Sequence, residues 1–169
     1  DPAVSDKCIE WTRRFYERVQ PYSPGSSYLN FPGFMEEEAR RLEAWLQGGM
    51  HGRMHYMENH FEKRIDPTLL VPGAKSVVSL MYNYHNPDRQ KDPEAPRISQ
   101  YAFGEDYHHV IKEKLHALLF HLQEEVGAVQ GRCFVDSAPV MERAWAERSG
   151  LGWNGKHTLL IHPRAGSYF

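Results

Sequence analysis

Hydrophobic positions along this chain change period several times, and each change marks a boundary between elements. Ile9, Trp11, Phe15 and Val19 recur at partly helical spacing, which predicts a helix over Val4 to Val19 followed by a turn-rich loop from Pro21 to Ser27. From Met35, three consecutive glutamates precede Leu42, Trp45 and Leu46, and Gly48-Gly49 follows. Acidic residues at the positive end of a helix, with glycine beyond its last turn, predict a second helix there. A short helix is expected around Arg53 to His60. Pro67 and Pro72-Gly73 then deliver the chain into Ser76 to Tyr82, a β-branched run suited to a buried strand. Asn86 to Pro96 holds three prolines and mixed charge, which predicts a mobile surface loop. The strongest helical signal runs from Tyr107 to Val126: Val110, Ile111, Leu115, Leu118, Leu119 and Leu122 form one stripe, and Gly127 ends it. A strand at Arg132 to Val135, a helix at Val140 to Ser149 and a strand at Thr158 to His162 complete the pattern. The alternation predicts a single α/β domain over residues 1–169, with a mixed sheet flanked by helices.

Composition narrows the class. Hydrophobic residues at 41% and charged residues at 25% are ordinary for a globular protein, and no apolar run is long enough to cross a membrane. The first residues lack the apolar core of a signal peptide, so a cytoplasmic location is expected. A net charge of −2 gives no electrostatic footprint for nucleic acid. Cys8 and Cys133 can build neither a disulfide framework nor the closely spaced ligand set of a zinc or iron–sulfur site. His51 and His55 lie at i,i+4, a spacing at which helical histidines share a metal, but Gly52 rather than glutamate follows His51. With no third ligand at catalytic-site spacing, no dedicated metal site is expected, and most histidines are read as surface residues.

The most informative stretch is Phe134 to Thr158. Asp136 follows the apolar run Cys133 to Val135 and precedes Pro139, a residue suited to a first helical turn. From spacing alone, the favoured reading is a helix N-cap. Gly152 and Gly155 around Trp153 suit a backbone pressed against a large flat ligand. By residue type, Tyr101, Phe103, Tyr107 and Trp153 are read first as core aromatics, and Arg64 as a solvated charge at a helix end. Trp11, Trp45 and Trp145 need no function beyond packing. Gly152-x-x-Gly155-Lys156 is too short, and wrongly placed after a helix, for a nucleotide-binding loop.

Five motifs change those priors by occurring together and in order. They are His51-Gly52-Arg53-Met54-His55-Tyr56-Met57, Lys63-Arg64-Ile65-Asp66-Pro67, Val71 to Val77, Ser99 to His108, and the Phe134 to Thr158 stretch. From about Gly33 to Phe169 the chain resembles the epoxyqueuosine reductase family, cobalamin and iron–sulfur enzymes that finish queuosine at the tRNA anticodon wobble position. Four positions depart from the family pattern: Gln100 and Glu105, where arginine is frequent, and Asn154 and His157, where isoleucine and asparagine are usual.

The resemblance implies an oxidoreductase whose fold is similar to the cobalamin-binding domain of reductive dehalogenases. It implies Asp136 as the proton donor for epoxide reduction. Cobalamin contacts are expected from Trp153, Gly155, Lys156, His157 and Thr158, from Tyr101, Tyr107 and Asp136, and from Arg64, with His108 facing the pocket. No protein histidine is expected on cobalt, since the Asp-x-His-x-x-Gly ligand motif is absent. The family's two four-iron clusters would be bound by cysteines beyond Phe169, and tRNA would be the partner of a monomer, gripped mostly outside this part. Two other readings stand beside this one: a flavin-dependent, nitroreductase-like enzyme, and a non-catalytic interaction domain.

Overall fold

The structure is a computed structural model that describes residues 26–30, 35–127 and 129–169. The helix expected over Val4 to Val19 lies outside the described residues. Helix α1, Glu36–Gln47, begins where the sequence places it. Met35 packs fully buried just before it, Glu36, Glu37 and Glu38 fill the first turn, and Gly49 at φ 65° carries the chain out. The short helix expected near Arg53 to His60 divides into a 3-10 turn at His55–Met57 and helix α2, Phe61–Ile65.

Strands β1, Ser26–Asn30, and β2, Ser76–Leu80, pair antiparallel, with Ser26 opposite Leu80 and Asn30 opposite Ser76. Ser26 and Ser27, expected in a loop, therefore belong to a strand. Helix α3, Tyr107–Val126, has the expected bounds, and its apolar stripe is half-buried rather than fully enclosed. Helix α4, Glu142–Arg148, is shorter than predicted. Val140 N–H is drawn into a bond with the Ala138 carbonyl (2.8 Å), and Gly150 at φ 76° ends the segment. Strands β3, Trp153–Asn154, and β4, Leu160–Ile161, form a second antiparallel hairpin.

Among the described residues, two separate two-stranded antiparallel sheets thus stand where a mixed sheet was expected from the sequence. The strand predicted at Arg132 to Val135 forms no ladder among the described residues. Its apolar character serves side-chain packing instead. Gly131 lies so close to α3 that a Cβ there would meet Leu119 Cδ1 at 2.8 Å, and Val135 is buried.

The core gathers around α4. Trp145 is only 2% exposed, Ala146 packs with Met81 and Leu151, and Leu160 and Phe169 close over that cluster. At the end of the helix, the Arg148 guanidinium donates twice to the Glu38 carboxylate of α1 (3.2 and 3.3 Å), a two-pronged geometry that fixes angle as well as distance. Gly152 lets β3 close on β4, since a Cβ there would stand 2.2 Å from the Ile161 carbonyl oxygen. No helix among the described residues is long and apolar enough to cross a membrane. Truncating the buried indole in Trp145→Ala is expected to cost about 3–5 kcal/mol, read as a lower denaturant midpoint at unchanged slope.

Candidate active site

Asp106 starts the site by capping α3. Its carboxylate accepts the His108 N–H at 2.9 Å and meets His108 Nδ1 at 2.7 Å, so its pKa is held below the ordinary carboxylate value, chiefly by the backbone bond. The cap fixes the first turn, and with it Tyr107. The Tyr107 hydroxyl donates to Asp136 Oδ2 at 2.6 Å, joining two residues 29 apart in sequence. That bond, with burial adding to it, raises the phenol pKa well above the usual tyrosine value. The His108 ring stacks on Tyr107 at 4.1 Å between centroids, and Tyr101 meets Tyr107 edge-on at 6.2 Å.

Asp136 adopts φ 50°, a left-handed conformation that a residue with a side chain rarely takes. The turn is closed by Ser137 N–H bonding to the Val135 carbonyl at 2.5 Å. The N–H of Asp136 itself donates to Glu142 Oε1 at 2.9 Å. The capping reading is therefore corrected: α4 begins six residues later, behind Met141, and the Asp136 side chain caps none of its N–H groups. Because the helix starts late, Asp136 is free to turn its carboxylate toward Tyr107. Glu142 raises its own pKa here, first through burial and then through the negative charge of Asp136.

The structure brings Tyr101, Tyr107 and Asp136 together, with His108 and Glu142 beside them. Glu142 was missed from sequence; its one signal was an acidic residue in the first turn of the helix after Asp136. Trp153, Gly155, Lys156, His157 and Thr158 sit on the β3–β4 hairpin. Gly155 N–H bonds to the Leu159 carbonyl and Thr158 N–H to the Gly155 carbonyl, both at 2.9 Å, and Lys156, His157 and Thr158 face solvent. The core reading of Trp153 and Tyr101 is corrected, since they are 48% and 55% exposed. His157 folds over Gly155, and the Asn154 amide donates to Glu147, so both departures from the family pattern serve the hairpin's own packing. Helix α4 links the two halves of the candidate site. Glu142 holds Asp136, Glu147 holds the hairpin, and five residues separate these attachments by about 7.5 Å along the axis.

Arg64 is not the solvated charge expected by default. It is half-buried, donates from Nη2 to the Tyr56 carbonyl at 3.3 Å, and has a buried Nε with no partner. Asp66 in the same motif caps the 3-10 turn Pro67–Leu69 by accepting from Thr68 N–H at 2.9 Å. His51 is also a correction: it is buried, with Nε2 2.6 Å from Glu58 Oε1. The expected proline-rich loop carries neither helix nor strand, and with Phe103 it frames an open concavity of about 600 Å³ whose lining excludes Asp136.

An aspartate in a strained turn, gripped by a tyrosine hydroxyl and backed by a second carboxyl, is the layout of an acid–base pocket. Comparison with known proteins gives the particular family. The family model described as epoxyqueuosine reductase QueG, DUF1730, matches residues 64–137. An epoxyqueuosine reductase from Cellulophaga algicola is 57% identical over 136 residues, covering 80% of this chain and 44% of that relative. A solved epoxyqueuosine reductase with an epoxyqueuosine-modified tRNA-Tyr stem loop is similar in fold, with TM-score 0.77, 28% identity, and coverage of 95% of this chain and 43% of that one. A Bacillus subtilis epoxyqueuosine reductase, whose catalytic aspartate loop is swung out of its active site, matches with TM-score 0.76 and 27% identity over 95% of this chain and 43% of that one. The chain belongs to the epoxyqueuosine reductase family. It spans less than half the length of the curated relatives it matches.

The carboxyl pair can be tested directly. Asp136→Asn is expected to lower the pKa of Glu142, followed by carbon NMR of the carboxyl; a titration unmoved by the substitution would contradict the pairing. Since Glu142 titrates above its ordinary 4.5 in the folded chain, its contribution to stability is complete below that value and is lost as pH rises through the folded pKa. Glu142→Gln keeps an acceptor for Asp136 N–H, and is expected to gain stability relative to the parent as pH is raised from about 4 to 7.

Proposed function

We propose that this chain is the part of an epoxyqueuosine reductase that presents the proton donor and contacts cobalamin, acting on the modified nucleoside at the tRNA wobble position. The observation that carries the reading is the Tyr107–Asp136 hydrogen bond across the strained turn. Removing an epoxide oxygen leaves developing negative charge on that oxygen, and a protonated carboxyl beside it lowers the barrier as the C–O bond breaks. Asp136 is assigned that role. Tyr107 engages Oδ2, which leaves Oδ1 for the substrate oxygen, and Glu142 holds the turn through the Asp136 N–H. The relative from Bacillus subtilis, with its catalytic aspartate loop, supports the assignment.

The residues present fit a broad, largely apolar cofactor fringed with amide groups. The half-exposed rings of Trp153 and Tyr101 offer flat surface, and Lys156, His157 and Thr158 offer donors at the hairpin tip. Gly155 keeps that tip narrow, and Arg64 is a further contact from α2. Cobalamin, when bound, supplies the electrons for opening the epoxide. Neither cysteine of this chain belongs to a cluster-binding spacing, so the two four-iron clusters are assigned to other residues of the enzyme. The solved relative bound to a tRNA stem loop supports tRNA as substrate, while a net charge of −2 assigns most of the backbone grip elsewhere. The flavin-dependent alternative gains nothing from the relatives, which are named epoxyqueuosine reductases.

In the full-length enzyme, Asp136→Asn is expected to reduce epoxide reduction by about 100-fold or more while cobalamin absorption and melting temperature hold. Near-normal turnover in that variant would move the proton donor elsewhere. Separately, Trp153→Ala and Lys156→Ala are expected to weaken cobalamin binding more than Trp45→Ala. Equal losses in folded variants would make the hairpin purely structural.

A further inference from the structure

The turn from His51 to Glu58 brings three metal-ligating groups to one side, through its local hydrogen bonding. Met54 N–H bonds to the His51 carbonyl, Met57 N–H to that of Met54, and Glu58 N–H to that of His55, at 2.9, 2.9 and 3.1 Å. These tight consecutive turns curl the segment back on itself, and His51, His55 and Glu58 converge. Their ligand atoms all lie within 4.8 Å of one another. Glu58 Oε1 stands 2.6 Å from His51 Nε2 and 3.7 Å from His55 Nδ1. A tetrahedral ion with bonds of about 2.0–2.1 Å needs ligand atoms about 3.3 Å apart, and the two distances bracket that edge. Small rotations of the exposed His55 and Glu58 side chains would suffice.

His51 is the fixed member. It is only 8% exposed, its ring lies 5.8 Å from Trp45, and its Nδ1 is buried without a partner. The ring's one polar outlet is therefore Nε2, aimed at Glu58. His55 and Glu58 lie open to solvent, which leaves room for water to complete the coordination.

We propose that His51, His55 and Glu58 form a site for a divalent transition-metal ion. Two imidazoles and one carboxylate suit zinc and its neighbours rather than magnesium or calcium, which take all-oxygen shells. No third ligand and no metal site were expected beside His51 and His55 from the sequence; the turns supply one by bringing Glu58 round. Occupancy would lock the 51–58 turn. Arg64 grips this same turn at the Tyr56 carbonyl, so the ion would also steady the approach to the Lys63–Pro67 motif.

The test is titration of the purified, chelator-stripped protein with Zn²⁺ by calorimetry and with Co²⁺ by visible absorption. One equivalent is expected, with the Co²⁺ bands of a low-coordinate nitrogen and oxygen site. His55→Ala and Glu58→Gln, both at exposed positions where folding is not at stake, are each expected to weaken binding by more than the about 10-fold that marks loss of even an outer-shell partner. His109→Ala/His116→Ala on α3 is expected to change nothing. Absence of binding would leave His51 and Glu58 as a plain side-chain contact at the surface and overturn the proposal. Undiminished binding in a His55→Ala/Glu58→Gln double variant, or loss of binding in the α3 control, would place the ion elsewhere and overturn it equally.

Discussion

The arrangement rests on burial of helix α4. Trp145 is buried and Ala146 packs with Met81 and Leu151, and this places a seven-residue helix that is too short to be stable alone. The Asp136 turn and the β3–β4 hairpin are then attached to it. Glu142 reaches back to the Asp136 turn, Glu147 takes the Asn154 amide of the hairpin, and Arg148 reaches across to Glu38. A loss of packing at Trp145 would therefore be felt at the carboxyl pair and at the hairpin tip together.

Strain and charge at Asp136 depend on that anchoring. A left-handed aspartate persists only where its surroundings hold it, and here the holding is done by one backbone bond to Glu142 and one hydroxyl from Tyr107. The two partners come from different helices, α3 and α4. Their opposition keeps the carboxylate in one place while its face remains open. Glu142 meanwhile experiences both burial and a neighbouring negative charge, so the site stores a carboxyl disposed to keep its proton.

The aromatic residues divide by exposure. Trp145 is core, whereas Tyr101 and Trp153 keep about half their surface in contact with solvent. Tyr101 also belongs to a row of edge-on contacts running from Tyr168 through Tyr84 to Tyr107, which joins the C-terminal segment to the start of α3.

The sequence by itself determined the elements whose signals are local. Helices α1 and α3 have the expected bounds, because acidic first turns, an Asp106 cap and terminal glycines act within a few residues. It also determined the family, since ordered motifs need no coordinates, and it singled out Asp136 and Tyr107. Tertiary structure decided what those residues do to each other. The apolar run before Asp136 read as a strand because β-type composition records burial, whereas the structure buries Val135 without giving the run a ladder among the described residues. The capping role failed because α4 starts at Glu142, a boundary set by its contacts with the Asp136 turn and the core. Glu142 beside Asp136, Glu58 beside His51, and the exposure of Trp153 all depend on which surfaces the fold buries. Such information is spread over residues distant in sequence, and no window along the chain contains it.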